Sequence, residues 1–187
     1  MKKQLLSLSA ALAFVLAGCG ATTTKEEKPV ADEEVSIENN MEGMDHSSDG
    51  SIPDSLVEAE NPTFPVGSEA IIEADHMKGM KGATATIVGT FDTTAYSINY
   101  TPTDGGEKVM DHKWVIHEEL EDPAPAPLEK GTEVTVLADH MKGMEGAKAE
   151  IESAKQTTVY MIDYVPTTGG DEVTNHKWVV EDELSKK

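Results

Sequence analysis

Apolar and polar residues alternate along several short runs in the second half of the chain. Residues 146–151 and 158–164 change character at nearly every step, and residues 133–137 and 176–180 are rich in β-branched side chains. A period of two is typical of a strand with one face in a core, and no long segment carries the 3.6-residue period of an amphipathic helix. Gly and Pro at 166–170 separate two of the runs as a turn. The pattern predicts an all-β fold made of short strands.

The same pattern occurs twice along the chain, at an offset of 64 residues. Residues 74–80 recur as residues 138–144, and residues 112–115 recur as residues 176–179. The two copies align without a gap, and about half of their positions are identical. A match of this length indicates a tandem duplication. Several strands in about sixty residues predict that each copy is a small SH3-like barrel, similar in its strand–loop–Gly–strand pattern to KOW-type barrels.

The residues before and between the copies have a different character. Residues 20–62 are polar and acidic, with isolated apolar residues and no period, which is typical of a disordered linker. The proline-rich stretch between the copies predicts a short, stiff spacer. The chain is therefore predicted to contain a signal peptide at 1–18, a disordered acidic tether at 19–62, a first β repeat at 63–121, a spacer at 122–128 and a second β repeat at 129–187.

The first nineteen residues have the pattern of an export signal. Lys2 and Lys3 precede an apolar stretch that is too short to span a bilayer comfortably, and Leu16-Ala17-Gly18-Cys19 follows it. Small residues before a cysteine are typical of a bacterial lipobox, in which the cysteine is diacylated. The alternative is a secretory signal with a chance cysteine. We expect Cys19 to carry two acyl chains, which would anchor the protein stably to the extracytoplasmic face of the cell membrane.

Composition narrows the possible partners. The chain holds 15 Lys plus Arg against 35 Asp plus Glu, for a formal charge of −20. Such a charge repels phosphate backbones and favours cations, so nucleic acid is not an expected partner. A single cysteine excludes an internal disulfide framework and a cysteine-rich zinc site. The chain also lacks a nucleophile elbow, a zincin motif and a phosphate loop, so we do not expect an enzyme.

Methionine and histidine are clustered in three motifs. Asp-His-Met-Lys-Gly-Met occurs once in each repeat, and Met-Glu-Gly-Met-Asp-His lies in the tether. Six of the eight methionines after the start residue belong to these motifs. A second histidine recurs in each repeat within His-Lys-Trp-Val. The candidate metal ligands are therefore His76, Met77, Met80, His140, Met141, Met144, His112, His176, Met41, Met44 and His46.

The chemistry of these side chains favours a soft cation. A thioether is neutral and polarizable, so it binds Cu(I) or Ag(I) in preference to Mg²⁺ or Ca²⁺, and imidazole adds a borderline donor. Gly79 would let Met77 and Met80 turn toward one ion, with His76 or His112 completing the site. Trp114, on the same strand face as His112, could cap the ion by a cation–π contact.

Three other interpretations stay open at this point. Methionine often fills gaps in small cores, so the repeated loops could be structural and the protein could be a cell-envelope interaction module. The methionines could instead serve as an oxidant sink, forming sulfoxides without any metal. The tether motif favours metal binding over the structural interpretation, because a disordered segment has no core for Met41 and Met44 to fill.

The lipobox, the tandem Asp-His-Met-Xaa-Gly-Met loops and the His-Lys-Trp-Val strands together resemble the YdhK-like lipoprotein family of Gram-positive bacteria. The resemblance covers Cys19 and residues 64–185. The family includes a copper-binding surface lipoprotein of staphylococci. The resemblance implies an exported, membrane-anchored copper-binding protein that limits copper toxicity, as a sink or as a donor to a copper exporter. It implies a ligand role for His76, Met77, Met80, His140, Met141 and Met144.

Overall fold

The computed structural model of the chain describes residues 47–187, and these form one antiparallel sheet with two short 3₁₀ turns. Alternating and β-branched sequences account for the strands. The strands are β1 (Val57–Glu58), β2 (Glu69–Ile72), β3 (Thr84–Tyr100), β4 (Val109–Ile116), β5 (Glu133–Thr135), β6 (Lys148–Tyr164), β7 (Val173–Val180) and β8 (Leu184–Lys186). The 3₁₀ turns, His117–Glu119 and Glu181–Glu183, follow β4 and β7. No helix within residues 47–187 is long and apolar enough to cross a bilayer.

The two longest strands, β3 and β6, are equivalent strands of the two repeats and pair with each other along almost their whole length. Ala85 pairs with Tyr164 at one end, and Tyr100 pairs with Ala149 at the other. Near the middle Thr93 pairs with Thr157, its own equivalent 64 residues later, so a pseudo-twofold axis passes between them. The central path of the sheet runs β5-β6-β3-β2-β8, with β1 and β4 also paired to β3, and β7 to β6.

Two bulges follow the same symmetry. The register of β3 and β6 shifts between Ile87 and Gly89 and again between Ser97 and Ile98. The unpaired residues are Val88 on β3 and Glu152 on β6, which are equivalent positions of the two repeats. Bulges increase the local twist of a strand. The two ends of each long strand therefore enter different packing environments.

The core divides into three clusters, and each contains residues of both repeats. One outer cluster joins residues 64–87 of the first repeat with residues 160–184 of the second. The other joins residues 96–120 of the first repeat with residues 128–151 of the second. The central cluster lies between them and contains Trp114 and Trp178.

The all-β prediction is confirmed, but the two predicted SH3-like barrels are corrected. The sheet is not a closed barrel, and the two repeats do not enclose separate cores. The physical reason is the length of β3 and β6. A 17-residue strand extends over about 55 Å, so the two ends of one repeat cannot meet around a common core.

The predicted tether extends into a segment that lies along the sheet. Residues 47–58, here called the strap, run beside β7 and end as β1, which pairs with Phe91 and Asp92. Leu56 of the strap is buried in the central cluster with Phe91 and Met161. The rest of the predicted tether and the signal peptide, up to residue 46, lie outside the described residues.

Because the repeats share their cores, we predict that residues 122–187 alone do not fold as a monomer. They should form a twofold homodimer in which β6 pairs with its copy about Thr157, so that unfolding becomes concentration-dependent. Sedimentation equilibrium and circular dichroism over a dilution series would test this, with residues 47–187 as the monomeric reference. A folded monomer of the single repeat would contradict the shared-core architecture.

Candidate metal centre

Two buried glutamates link the repeats to each other. Glu183 of the second repeat accepts hydrogen bonds from His76 Nε2 at 2.7 Å and Trp114 Nε1 at 2.9 Å, both in the first repeat. It also accepts one from the backbone N–H of Val180 at 3.1 Å. A carboxylate only accepts, so the Nε2 atom of His76 carries the proton of this hydrogen bond.

The equivalent network has the opposite polarity of repeats. Glu119 of the first repeat accepts hydrogen bonds from His140 Nε2 at 2.8 Å and from Trp178 Nε1 at 3.1 Å, both in the second repeat. The backbone N–H of Ile116 also donates to it, at 3.1 Å. Both glutamates stand on the 3₁₀ turns after β4 and β7, and both tryptophans lie on those strands. The loop of each repeat is thus held by the turn of the other.

Each of these histidines has a second ring nitrogen with an unusual environment. The Nδ1 atoms of His76 and His140 are buried and have no hydrogen-bond partner among the described residues. With the proton on Nε2, Nδ1 keeps a lone pair. Metal-bound histidines typically have this arrangement, in which the other ring N–H donates to a carboxylate. The two Nδ1 atoms are therefore well prepared to bind an ion.

The structure divides the loop methionines into two classes. Met80 and Met144 are fully buried and are part of the two outer core clusters. Met77 and Met141, directly after the histidines, are half-buried and pack on the borders of the same clusters. The first class fills core volume, whereas the second class has thioethers near the surface beside a histidine.

The loop of each repeat also lies against a hairpin turn of the other repeat. Gly79 adopts a left-handed backbone, with φ +81°, and its carbonyl accepts a hydrogen bond from the Thr167 N–H at 2.8 Å. A Cβ atom at Gly79 would lie 2.5 Å from Thr168 Oγ1, so the close approach requires glycine. The Gly143 carbonyl accepts the equivalent hydrogen bond from the Thr103 N–H at 2.9 Å.

These hairpins carry the second pair of candidate histidines. His176 lies on β7 with its ring edge-on to Tyr164, at a centroid distance of 6.0 Å. His112 lies on β4 and meets Tyr100 in the same way at 5.8 Å. Burial raises the pKa of Tyr100 and Tyr164 to about 12, so both phenols stay neutral and are poor metal ligands.

Two candidate sites follow from this arrangement. The first site consists of His76, Met77 and the β6–β7 hairpin with His176, and the second consists of His140, Met141 and the β3–β4 hairpin with His112. The sequence suggested His112 as the partner of His76, whereas the structure places the hairpin of the other repeat against each loop. The sequence also suggested Trp114 as a cap over the ion, and its indole N–H is bonded to Glu183.

Some predicted ligands fall outside this description. Met41, Met44, His46 and the predicted lipid-bearing Cys19 lie outside the described residues. Within residues 47–187, no three side chains of His, Cys, Asp or Glu are grouped so that they could hold a metal ion. An ion bound by the described part of the chain would therefore need thioether ligands.

Sequence reasoning missed the two glutamates. Glu119 and Glu183 were two acids among 35 acidic residues, and nothing in their immediate neighbourhood singled them out. One signal was available, because the two glutamates are separated by the repeat offset of 64 residues, immediately before matched leucines.

The chain has clear relatives. The family described as "Protein of unknown function (DUF1541)" matches residues 66–117 and 130–181. The uncharacterized protein YdhK of Bacillus subtilis strain 168 is 52% identical over 180 residues, which is 96% of this chain and 87% of that protein. A crystal structure of that DUF1541 family protein, at 2.00 Å resolution, has 57% identity and a TM-score of 0.75, covering 78% of this chain and 99% of that one. A solution NMR structure of the YdhK C-terminal domain has 60% identity and a TM-score of 0.63, covering 66% of this chain and 94% of that one.

We predict that Glu119→Ala lowers the free energy of unfolding by about 3–5 kcal/mol, because three buried donors lose their acceptor. Glu183→Ala should cost less, since 17% of the Glu183 side chain is exposed against 7% for Glu119. Urea unfolding of both variants would measure the difference. Glu121→Ala, at an exposed position nearby, is the control and should change the free energy by under about 0.5 kcal/mol. Equal, small losses in all three variants would contradict the network's role.

We also predict a loss of stability in acid that depends on Glu183. Burial by itself would raise the pKa of Glu183, but the hydrogen bond and charge of His76 outweigh it and lower the pKa below the ordinary 4.5. A lowered folded pKa stabilises the protein above pH 4.5 and loses that contribution as pH falls through the folded value. Urea unfolding between about pH 6 and pH 3 should therefore show a shallower decline for Glu183→Gln, which cannot take up the proton. An unchanged slope would argue against this linkage.

Proposed function

The chain belongs to the DUF1541 family, a family of unknown function, and from that premise we propose that it is a copper-binding protein, with Cu(I) as its preferred ion. The observation that carries the proposal is the pair of buried Nδ1 atoms on His76 and His140. Each belongs to an imidazole whose Nε2 is already held by a glutamate. A buried nitrogen without a hydrogen bond is costly unless it has a ligand.

The neighbouring donors favour a soft ion over a hard one. Met77 and Met141 place a half-buried thioether directly after each histidine. Thioethers bind Cu(I) and Ag(I) and discriminate against Mg²⁺ and Ca²⁺. The nearby tyrosines are neutral, and the described residues offer no carboxylate-rich cluster for a hard cation. Cu(I) is accordingly the ion that this donor set fits best.

The rest of the proposal follows from the N-terminal sequence and the charge. We infer that Cys19 carries the lipid that holds the protein on the extracytoplasmic face of the membrane. A formal charge of −20 raises the local concentration of cations around the protein. In this position the protein would act in copper tolerance as a sink, or would pass the ion to a copper exporter. It has no catalytic role in this proposal.

Methionine-to-leucine changes test the proposal without enlarging or emptying the core. The variant Met77→Leu with Met141→Leu removes the two border thioethers and should weaken Cu(I) binding at least about tenfold. An anaerobic titration of the full chain in mild detergent against a competing chelator would measure the affinity. Unchanged thermal unfolding of the metal-free variant would show that the fold is intact.

The matched control is Met80→Leu with Met144→Leu, which makes the same change three residues later in the same loops. Both side chains are fully buried in the core, so this variant should keep its Cu(I) affinity. Loss of affinity in the control alone would transfer the ligand role to Met80 and Met144. If the parent chain takes up no Cu(I) against the chelator, the copper proposal fails.

A further inference from the structure

We propose that the two candidate sites are unequal, because the strap delivers the tether motif of residues 41–46 to the first site and not to the second. The proposal rests on the copper function proposed above and assigns Met41, Met44 and His46 to one of its two sites. It makes the first site a composite of three chain segments and the tighter of the two.

The start of the strap is fixed to β7 by a group of hydrogen bonds. The Ser48 N–H donates to the Thr174 carbonyl at 3.0 Å, and the Thr174 N–H donates to Ser47 Oγ at 3.0 Å. Ser48 Oγ donates to the Asn175 carbonyl at 2.7 Å, and the Asn175 amide donates back to the Ser48 carbonyl at 3.2 Å. His46 is therefore one peptide bond away from an anchored residue, beside the strand that carries His176.

The direction of the strap determines where the preceding residues begin. Ser47 and Ser48 lie at Thr174 and Asn175, whereas Ser51 accepts a hydrogen bond from the Lys177 ammonium group. The strap therefore runs parallel to β7, away from the tip of the β6–β7 hairpin. The chain before Ser47 starts on the side of that tip, and the Met77 loop lies against the same tip through Gly79 and Thr167.

The motif is long enough to reach the Met77 loop from this anchor. Successive Cα atoms allow about 3.5 Å per residue, so Met44 lies within about 11 Å of Ser47 and Met41 within about 21 Å. Val173, next to the anchor residue Thr174, packs on the same core cluster as Met77. The two thioethers and His46 are therefore tethered within reach of the first site.

The second site has no equivalent supply. The position equivalent to Thr174 is Met110, whose side chain is 55% exposed, and no segment of the described chain lies along β4 there as the strap lies along β7. The surfaces differ accordingly. Phe91 and Met161, buried with Leu56 of the strap, correspond to Lys155 and Ser97 in the other half. The asymmetry is therefore part of the sequence of the repeats.

A double-mutant cycle on Cu(I) affinity tests the assignment. The tether variant combines Met41→Ala, Met44→Ala and His46→Ala, and it is measured alone, with Met77→Leu and with the matched Met141→Leu. We expect the tether variant to weaken one of two binding events at least tenfold. That loss should couple to Met77→Leu and add independently to Met141→Leu, because coupling indicates a shared ion. Equal affinity of the parent and the tether variant, or coupling to Met141→Leu, would overturn the assignment.

Methyl NMR with Ag(I), a redox-inert probe for a Cu(I) site, gives a second readout on the full chain in detergent. The ε-methyl signals of Met41 and Met44 should shift in the same titration step as Met77, and before Met141. Movement of Met41 and Met44 in a separate step would overturn the inference while leaving copper binding by the loops intact. Absence of any metal uptake by the parent chain would overturn both proposals, so the two failures are distinguishable.

Discussion

The pairing of β3 with β6 about Thr93 and Thr157 is the interaction on which the rest of the structure depends. It commits the middle of each repeat to a partner strand from the other, so the two ends of each repeat fall on opposite sides of the pseudo-twofold axis. Each outer core is then completed by the other copy. The same exchange brings Glu183 to His76 and Glu119 to His140. The histidines acquire their geometry only when both repeats have folded together.

The strap explains why two similar repeats have diverged at particular positions. It covers one of two equivalent surfaces, and the covered surface has Phe91 and Met161 where the other has Lys155 and Ser97. Ser97 instead forms a hydrogen bond with Ser153 at 2.7 Å. An apolar side chain contributes to stability when it is covered and contributes little when it faces water. The duplication supplied a symmetric frame, and the strap gave its two halves different surroundings.

Much of the fold class could be predicted from the sequence, but its architecture could not. Period-two alternation around Tyr160 and Ile162 identified strand segments, and the 64-residue offset identified the duplication. The continuity of β3 and β6 was hidden, because the bulges at Val88 and Glu152 break the alternation and polar residues occupy the axis. Such a polar stretch has the composition of a turn between two short strands. For the candidate site, the ligand types were readable from His76 and Met77, whereas an acid in a strongly acidic chain gave no comparable signal for Glu183.

The double role of the glutamates separates what stabilises the fold from what would bind an ion. Removing His76 or Glu183 disturbs a buried polar network, so any loss of metal binding would be mixed with a loss of structure. Met77 takes no part in that network and lies at the border of its cluster. Its thioether can be removed at nearly constant volume, which leaves the hydrogen bonds of His76 in place. In a fold where the ligand's orientation and the cohesion of the repeats depend on the same carboxylate, the methionines are the residues through which binding can be examined by itself.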